Sequence, residues 1–196
     1  MCKGVQNFPV IGGCLVKFEK VSIYFAEPGP ENTDEVMKAV AKRIEKGDIK
    51  TIVVASTSGD TGVKFANVLK GKANVIAVSH KEMEPDLKEK IINLGGTAVD
   101  KTHLPLHKVG MDDVRNTLRI LGQGLKVAVE VILIATDKGL IKPYKDVIGV
   151  GGTGKGADTV IVARSTTSKE VFSGDSSKKL EVREIIAMTL KKKWWD

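Results

Sequence analysis

Ser56, Thr57, Ser58 and Thr61 stand together with Gly59 and Gly62 in one short stretch of the chain. An apolar, β-branched run, Thr51 to Ala55, precedes them, and a segment with helical spacing, Thr61 to Leu69, follows and stops at Lys70, Gly71 and Lys72. The order reads as a buried parallel strand, a turn from Ser56 to Asp60, and a helix. A turn of this kind suits phosphate: the first helical amides are unpaired, the positive end of the helix dipole faces the ligand, and the hydroxyls add donors. Gly59 lets the backbone approach a ligand, and Gly62 does the same inside the first turn. With no ligand, the same residues make an ordinary helix start in which Ser58 or Asp60 satisfies orphan amides.

A second glycine loop has two readings. Residues 149–155, GVGGTGK, fit GxGxxG and the opening of a Walker A loop, yet Gly156 stands where a magnesium-binding Ser or Thr is required. A strand, Thr159 to Ala163, follows where both motifs need a helix. The plain reading is a tight turn between neighbouring strands. The ligand reading is that this loop leaves the strand Asp146 to Val150 at its carboxyl end, where parallel sheets bind ligands, as the Ser56 to Gly62 loop also does. Gly151, Gly152, Thr153, Gly156, Ala157 and Asp158 then join the first loop around one ligand. Ser79 and His80, at the end of the strand Asn74 to Ser79, and Glu27, after the strand Val21 to Ala26, are similarly placed. His80 could act as an acid or base there. His103 and His107 have the spacing of a helical metal pair, but Pro105 between them argues for loop residues, and Asp137 reads as a helix cap. No metal cluster, nucleophile or carboxylate pair stands out.

The elements that must position these groups alternate. After the first strand, Pro28, Gly29 and Pro30 lead to Asn32, which with Glu35 forms a capping box for a helix from Thr33 to Lys46, with Gly47 as its C′ residue. Helices follow over Pro85 to Asn93 and Met111 to Leu121, with a short strand at Thr97 to Val99. Val127 to Ala135 is apolar and β-branched enough to pass for a strand, but Asp137, Lys138 and Gly139 look like a helix C-terminus and a parallel sheet needs a crossover before Asp146 to Val150, so it reads as a helix. A polar stretch, Ser165 to Lys179, leads to a closing helix, Glu181 to Leu190. Repeated β–α alternation predicts an α/β fold with a mostly parallel sheet, right-handed crossovers and helices on both faces.

With 196 residues, 42% hydrophobic and 28% charged, the chain fits a single domain spanning 1–196 and excludes a disordered or fibrous class. The net charge of +7 raises the question of a polyanion, but the lysines are spread through every segment, so no nucleic-acid partner is expected. The dense run Lys191, Lys192, Lys193 beside Trp194 and Trp195 reads as a solvated end packed on the body. Cys2 and Cys14 lack metal or disulfide spacing, which suits a reducing, cytoplasmic setting. The run Pro9 to Val16 is too short and glycine-broken for a signal, and no run approaches a membrane span. Exposed edge strands or the tryptophan tail would support a homodimer.

Three resemblances bear on function. STSGDT, residues 56–61, resembles the flavodoxin phosphate loop and implies FMN. TSGDTG, residues 57–62, is similar to a loop of threonine synthase and related pyridoxal-phosphate enzymes, over six residues only. Read together, FAEPGPENTDE, TIVVASTSGDTG, VEVILIATDKGLI and GVGGTGKGADT resemble the pyruvate kinase C-terminal α/β domain-like family of archaeal and bacterial proteins, from about Val21 to Ile186. The resemblance implies a three-layer αβα fold without the kinase active site, a phosphorylated small-molecule ligand, and FMN as cofactor. Phosphate would sit on Thr57, Ser58, Gly59, Thr61 and Gly62, and the flavin ring toward His80 and the Gly151 to Asp158 loop. A binding or regulatory flavoprotein, an FMN-dependent oxidoreductase and a sugar-phosphate sensor all remain open on this reading.

Overall fold

The computed structural model describes residues 17–193. The expectations for Cys2, Cys14, Pro9 to Val16 and the tryptophan pair lie outside the described residues. Short β-branched runs form the strands β1 (Ile23–Phe25), β2 (Thr51–Ala55), β3 (Asn74–Val78), β4 (Thr97–Val99), β5 (Asp146–Gly151), β6 (Thr159–Arg164) and β7 (Glu181–Thr189). Segments with apolar residues three and four apart form α1 (Thr33–Ile44), α2 (Asp60–Val68), α3 (Pro85–Asn93), α4 (Asp112–Ile120) and α5 (Gln123–Asp137).

All seven strands join one sheet in the order β1-β7-β6-β5-β2-β3-β4. Only β6 runs against the rest, pairing antiparallel with β5 and β7. Side chains alternate across the sheet, so Ile52, Val54 and Ile148 pack with α1 and α2 on one face, while Val53, Val147 and Ile161 pack with α5 on the other. Phe65 of α2 is fully buried in the first cluster, and removing so large a side chain from water contributes about 2–3 kcal/mol. α4 lies outside α5 and sends Val114 and Leu118 toward the second cluster. The architecture is the expected three-layer αβα sandwich with a mostly parallel sheet. No helix among the described residues is long and apolar enough to cross a membrane.

Two local expectations are corrected. Glu181 to Leu190 is not a helix: it is the strand β7, held between β1 and β6. The β6–β7 register shifts at Val160/Ile161 and again at Val162/Ala163, which breaks the period-2 pattern that marks a strand in sequence. The Asn32–Glu35 capping box also fails to form. Asn32 ends a 3-10 turn, Pro30–Asn32, and its side-chain amide donates to the Glu27 carbonyl at 2.9 Å.

Candidate functional site

β2 and β5 are parallel neighbours, with Val54 level with Val150, so the loops that leave them emerge side by side. The chain from β2 then crosses through α2 to β3 on one side, whereas β5 turns back into β6 on the other. Such a divergence opens a crevice at the carboxyl ends of the strands.

The β2–α2 loop divides its hydroxyls between structure and solvent. Ser56 is buried, and its Oγ accepts the Gly62 amide at 2.9 Å. Ser58 Oγ accepts the Asp60 amide at 3.3 Å, the capping role open to it from sequence. Ser58 also lends its carbonyl to the Glu84 amide at 2.9 Å, which ties the loop to the start of α3. Thr57 is exposed, and the hydroxyls of Thr57 and Thr61 make no hydrogen bond among the described residues. The amides of Gly59 and Thr61 donate none there either. Asp60 adds a carboxylate to the first turn, held by Lys64 at 3.2 Å.

Gly59 is required by the backbone as much as by any ligand. Its φ is +110°, and a Cβ there would meet Leu87 Cβ at 2.7 Å. A Cβ at Gly62 would meet Ala77 of β3 at 2.7 Å and Ile91 of α3 at 2.8 Å, so α2 rests directly on both.

The β5–β6 loop is pinned at both of its sides. The Ala157 amide donates to Thr33 Oγ1 at 3.0 Å, docking the loop on the start of α1. Asp158 is fully buried, and its carboxylate accepts the Thr153 amide at 2.9 Å and the Thr159 hydroxyl at 2.7 Å. Gly149 and Gly151 face α5: a Cβ at Gly151 would lie 2.0 Å from the Gly124 carbonyl oxygen. Gly151 therefore serves helix packing, while Gly152, Thr153 and Gly156 form the turn itself.

Ser79 and His80 follow β3, on the far side of β2 from β5. Ser79 is buried; its Oγ donates to the Thr57 carbonyl at 3.1 Å and accepts the Lys81 amide at 3.0 Å. His80 is exposed at the same edge. Glu27 leaves the outermost strand, and Lys191 holds its carboxylate at 3.0 Å. Two residues the sequence reading passed over belong with this edge. Thr33 anchors the second loop, and its position after Pro30, Glu31 and Asn32 was a usable signal. Lys192 lies against Gly122 beside the start of α5, and burial lowers its pKa, partly offset by Asp158.

His103 and His107 diverge from a short turn opened by Pro105. His103 meets the Asp137 carboxylate at 2.9 Å, so Asp137 does more than end its helix. His107 Nε2 lies 3.1 Å from Lys126 Nζ, which also pairs with Glu130 at 2.8 Å. Burial, then the charge of Lys126, lowers the His107 pKa below its ordinary value; Glu130 opposes, and Arg115 and Arg119 add to the lowering. Because the unfolded chain then binds the proton more readily, this contribution to stability is complete above a pH of about 6.5 and is lost as pH falls through that value toward the folded pKa. We expect thermal unfolding between pH 7.5 and 5 to shift less in His107→Gln than in the parent; equal shifts would remove His107 as the cause.

A hollow of about 230 Å³ lies at the opposite edge of the sheet, lined by Ala66, Lys70, Ala73, Val75 and Leu94 among others. None of the predicted site residues lines it. A family model described as the pyruvate kinase alpha/beta domain matches residues 34–163, about two thirds of the chain and both strand-end loops. The chain belongs to the pyruvate kinase α/β-domain family.

Proposed function

We propose that the protein binds a phosphorylated small molecule in the crevice between the β2–α2 and β5–β6 loops, as a binding or regulatory protein, with FMN as the expected ligand. The observation that carries this reading is the start of α2: among the described residues, the Gly59 and Thr61 amides and the Thr57 and Thr61 hydroxyls have no hydrogen-bond partner where the helix dipole is positive. This donor set fits the phosphate end of FMN. The ring would extend toward the Gly152 to Asp158 loop, whose pinning to Thr33 keeps it from collapsing onto the crevice, and away from His80, which follows β3 on the other side of β2.

The first test is an absorbance spectrum of freshly purified protein, with mass spectrometry of any molecule that denaturation releases. Flavin bands and an FMN mass support the reading, and reduction by a nicotinamide would then distinguish an oxidoreductase from a binding protein. A sugar phosphate would retain the site and replace the ligand. Thr61→Val should weaken binding about tenfold, the scale of one hydrogen bond to a charged group. Unchanged affinity of Thr61→Val in a titration with that ligand would remove the α2 start from the site.

A further inference from the structure

Lysines that are scattered along the sequence are gathered by the fold. Parallel strands begin at the edge opposite the candidate site, and the helices that lead into them end there. Lys46 and Lys50 lie between α1 and β2, Lys70 and Lys72 between α2 and β3, and Lys142 and Lys145 between α5 and β5. Since β5, β2 and β3 are adjacent and parallel, the three pairs form a row across the centre of that edge, with strands about 4.8 Å apart. All six are exposed, and none forms an ion pair among the described residues.

Three of the carboxylates nearby are held by arginines. Arg43 holds Asp48 at 2.7 Å, Arg183 holds Asp146 at 2.8 Å, and Arg164 holds Glu181 at 3.0 Å. Glu45, Glu170 and Asp175 have no ion pair among the described residues and offset part of the row's charge, Glu170 through its place beside Tyr144. Complementing helix dipoles explains a lysine in a last turn, but Lys50, Lys72, Lys142 and Lys145 lie beyond the helices and owe nothing to that effect. Aromatic rings flank the row. Tyr144 stands between Lys142 and Lys145, and Phe172, 67% exposed, lies in the β6–β7 loop that returns to the same edge. The Tyr144 hydroxyl bonds Glu170 at 2.9 Å, which ties that loop to the lysine segment.

We infer that this edge binds single-stranded nucleic acid without sequence preference, phosphates lying along the lysine row and a base stacking on Phe172. A line of ammonium groups matches a strand of phosphates, and lysine gives charge without the forked geometry that reads base edges. This inference stands apart from the proposed ligand site, which lies at the other edge.

The test is fluorescence anisotropy of a labelled oligouridylate of about 20 nucleotides, titrated with the full chain at several salt concentrations. The triple variant Lys50→Gln, Lys72→Gln, Lys145→Gln should lower the slope of log K against log salt by about 2, near 0.7 per lysine. Phe172→Ala should weaken binding at least about fivefold. Lys81→Gln with Lys155→Gln, at the opposite edge, should leave both unchanged; circular dichroism melts check that every variant is folded. The inference is overturned by undetectable oligonucleotide binding at low salt, by equal losses from the two edges, or by binding to phosphatidylserine vesicles without binding to the oligonucleotide.

Discussion

Gly151→Ala is expected to lower the free energy of unfolding by about 3 kcal/mol, the upper end of what overpacking costs. The added methyl would sit 2.0 Å from the Gly124 carbonyl oxygen and 2.7 Å from the Ala128 amide nitrogen, so the α5 backbone itself must move. Gly47→Ala is the proper comparison: its φ is +75° but nothing lies within 4 Å of its Cβ position, so only the left-handed conformation costs, about 1–2 kcal/mol. Urea unfolding of both variants measures the difference. A Gly151→Ala cost no larger than that of Gly47→Ala would sink the close-packing account. Displacing α5 also disturbs the Gly152 to Asp158 loop through Asp158, whose Oδ1 lies 2.3 Å from the Cβ position of Gly124. Ligand binding should therefore fall together with stability.

Glu130→Ala should cost about 3 kcal/mol, within the range for breaking a buried ion pair from one side. Its carboxylate pairs with Lys126 at 2.8 Å, both side chains being only 4% exposed, and it also accepts the Leu106 amide at 3.1 Å. Removing it leaves a buried ammonium that faces, among the described residues, His107 alone, and an amide without its acceptor. The double variant Lys126→Met, Glu130→Leu should recover most of the loss, because no charge is then stranded; the Leu106 amide remains as the residual penalty. A double-mutant cycle by chemical denaturation reads the coupling. If the double variant is as unstable as the sum of the singles, the pair is not what sustains this layer.

The strand–turn–helix of residues 51–69 was legible because both of its periods are unbroken: a run of β-branched residues, then apolar positions at helical spacing. β2, α3 and β4 fall on the expected residues for the same reason. α5 was legible only through connection logic, since its near-continuous apolar face also suits a strand, and it is buried on most of its surface. β7 was misread because two register shifts against β6 scramble its alternation. Ser56 carried the right chemistry in sequence, yet the structure spends its oxygen on the Gly62 amide. The glycines of GVGGTGK could not be sorted from sequence at all. Gly149 and Gly151 answer to α5, while Gly152 closes on the Gly156 carbonyl.

The sequence by itself determined the alternation of strands and helices, the two loops rich in glycine and hydroxyls, and their exit from the carboxyl ends of strands, because these follow from periodicity and turn chemistry within about 10–20 neighbouring residues. Only the tertiary structure decided that β6 runs antiparallel, which hydroxyls and amides stay unpaired at the start of α2, which glycines are consumed by α5, and that dispersed lysines meet along one edge. Those outcomes depend on pairing and packing between segments far apart in the chain, and parallel strands bring all their starting turns to one side of the sheet whatever their separation in sequence.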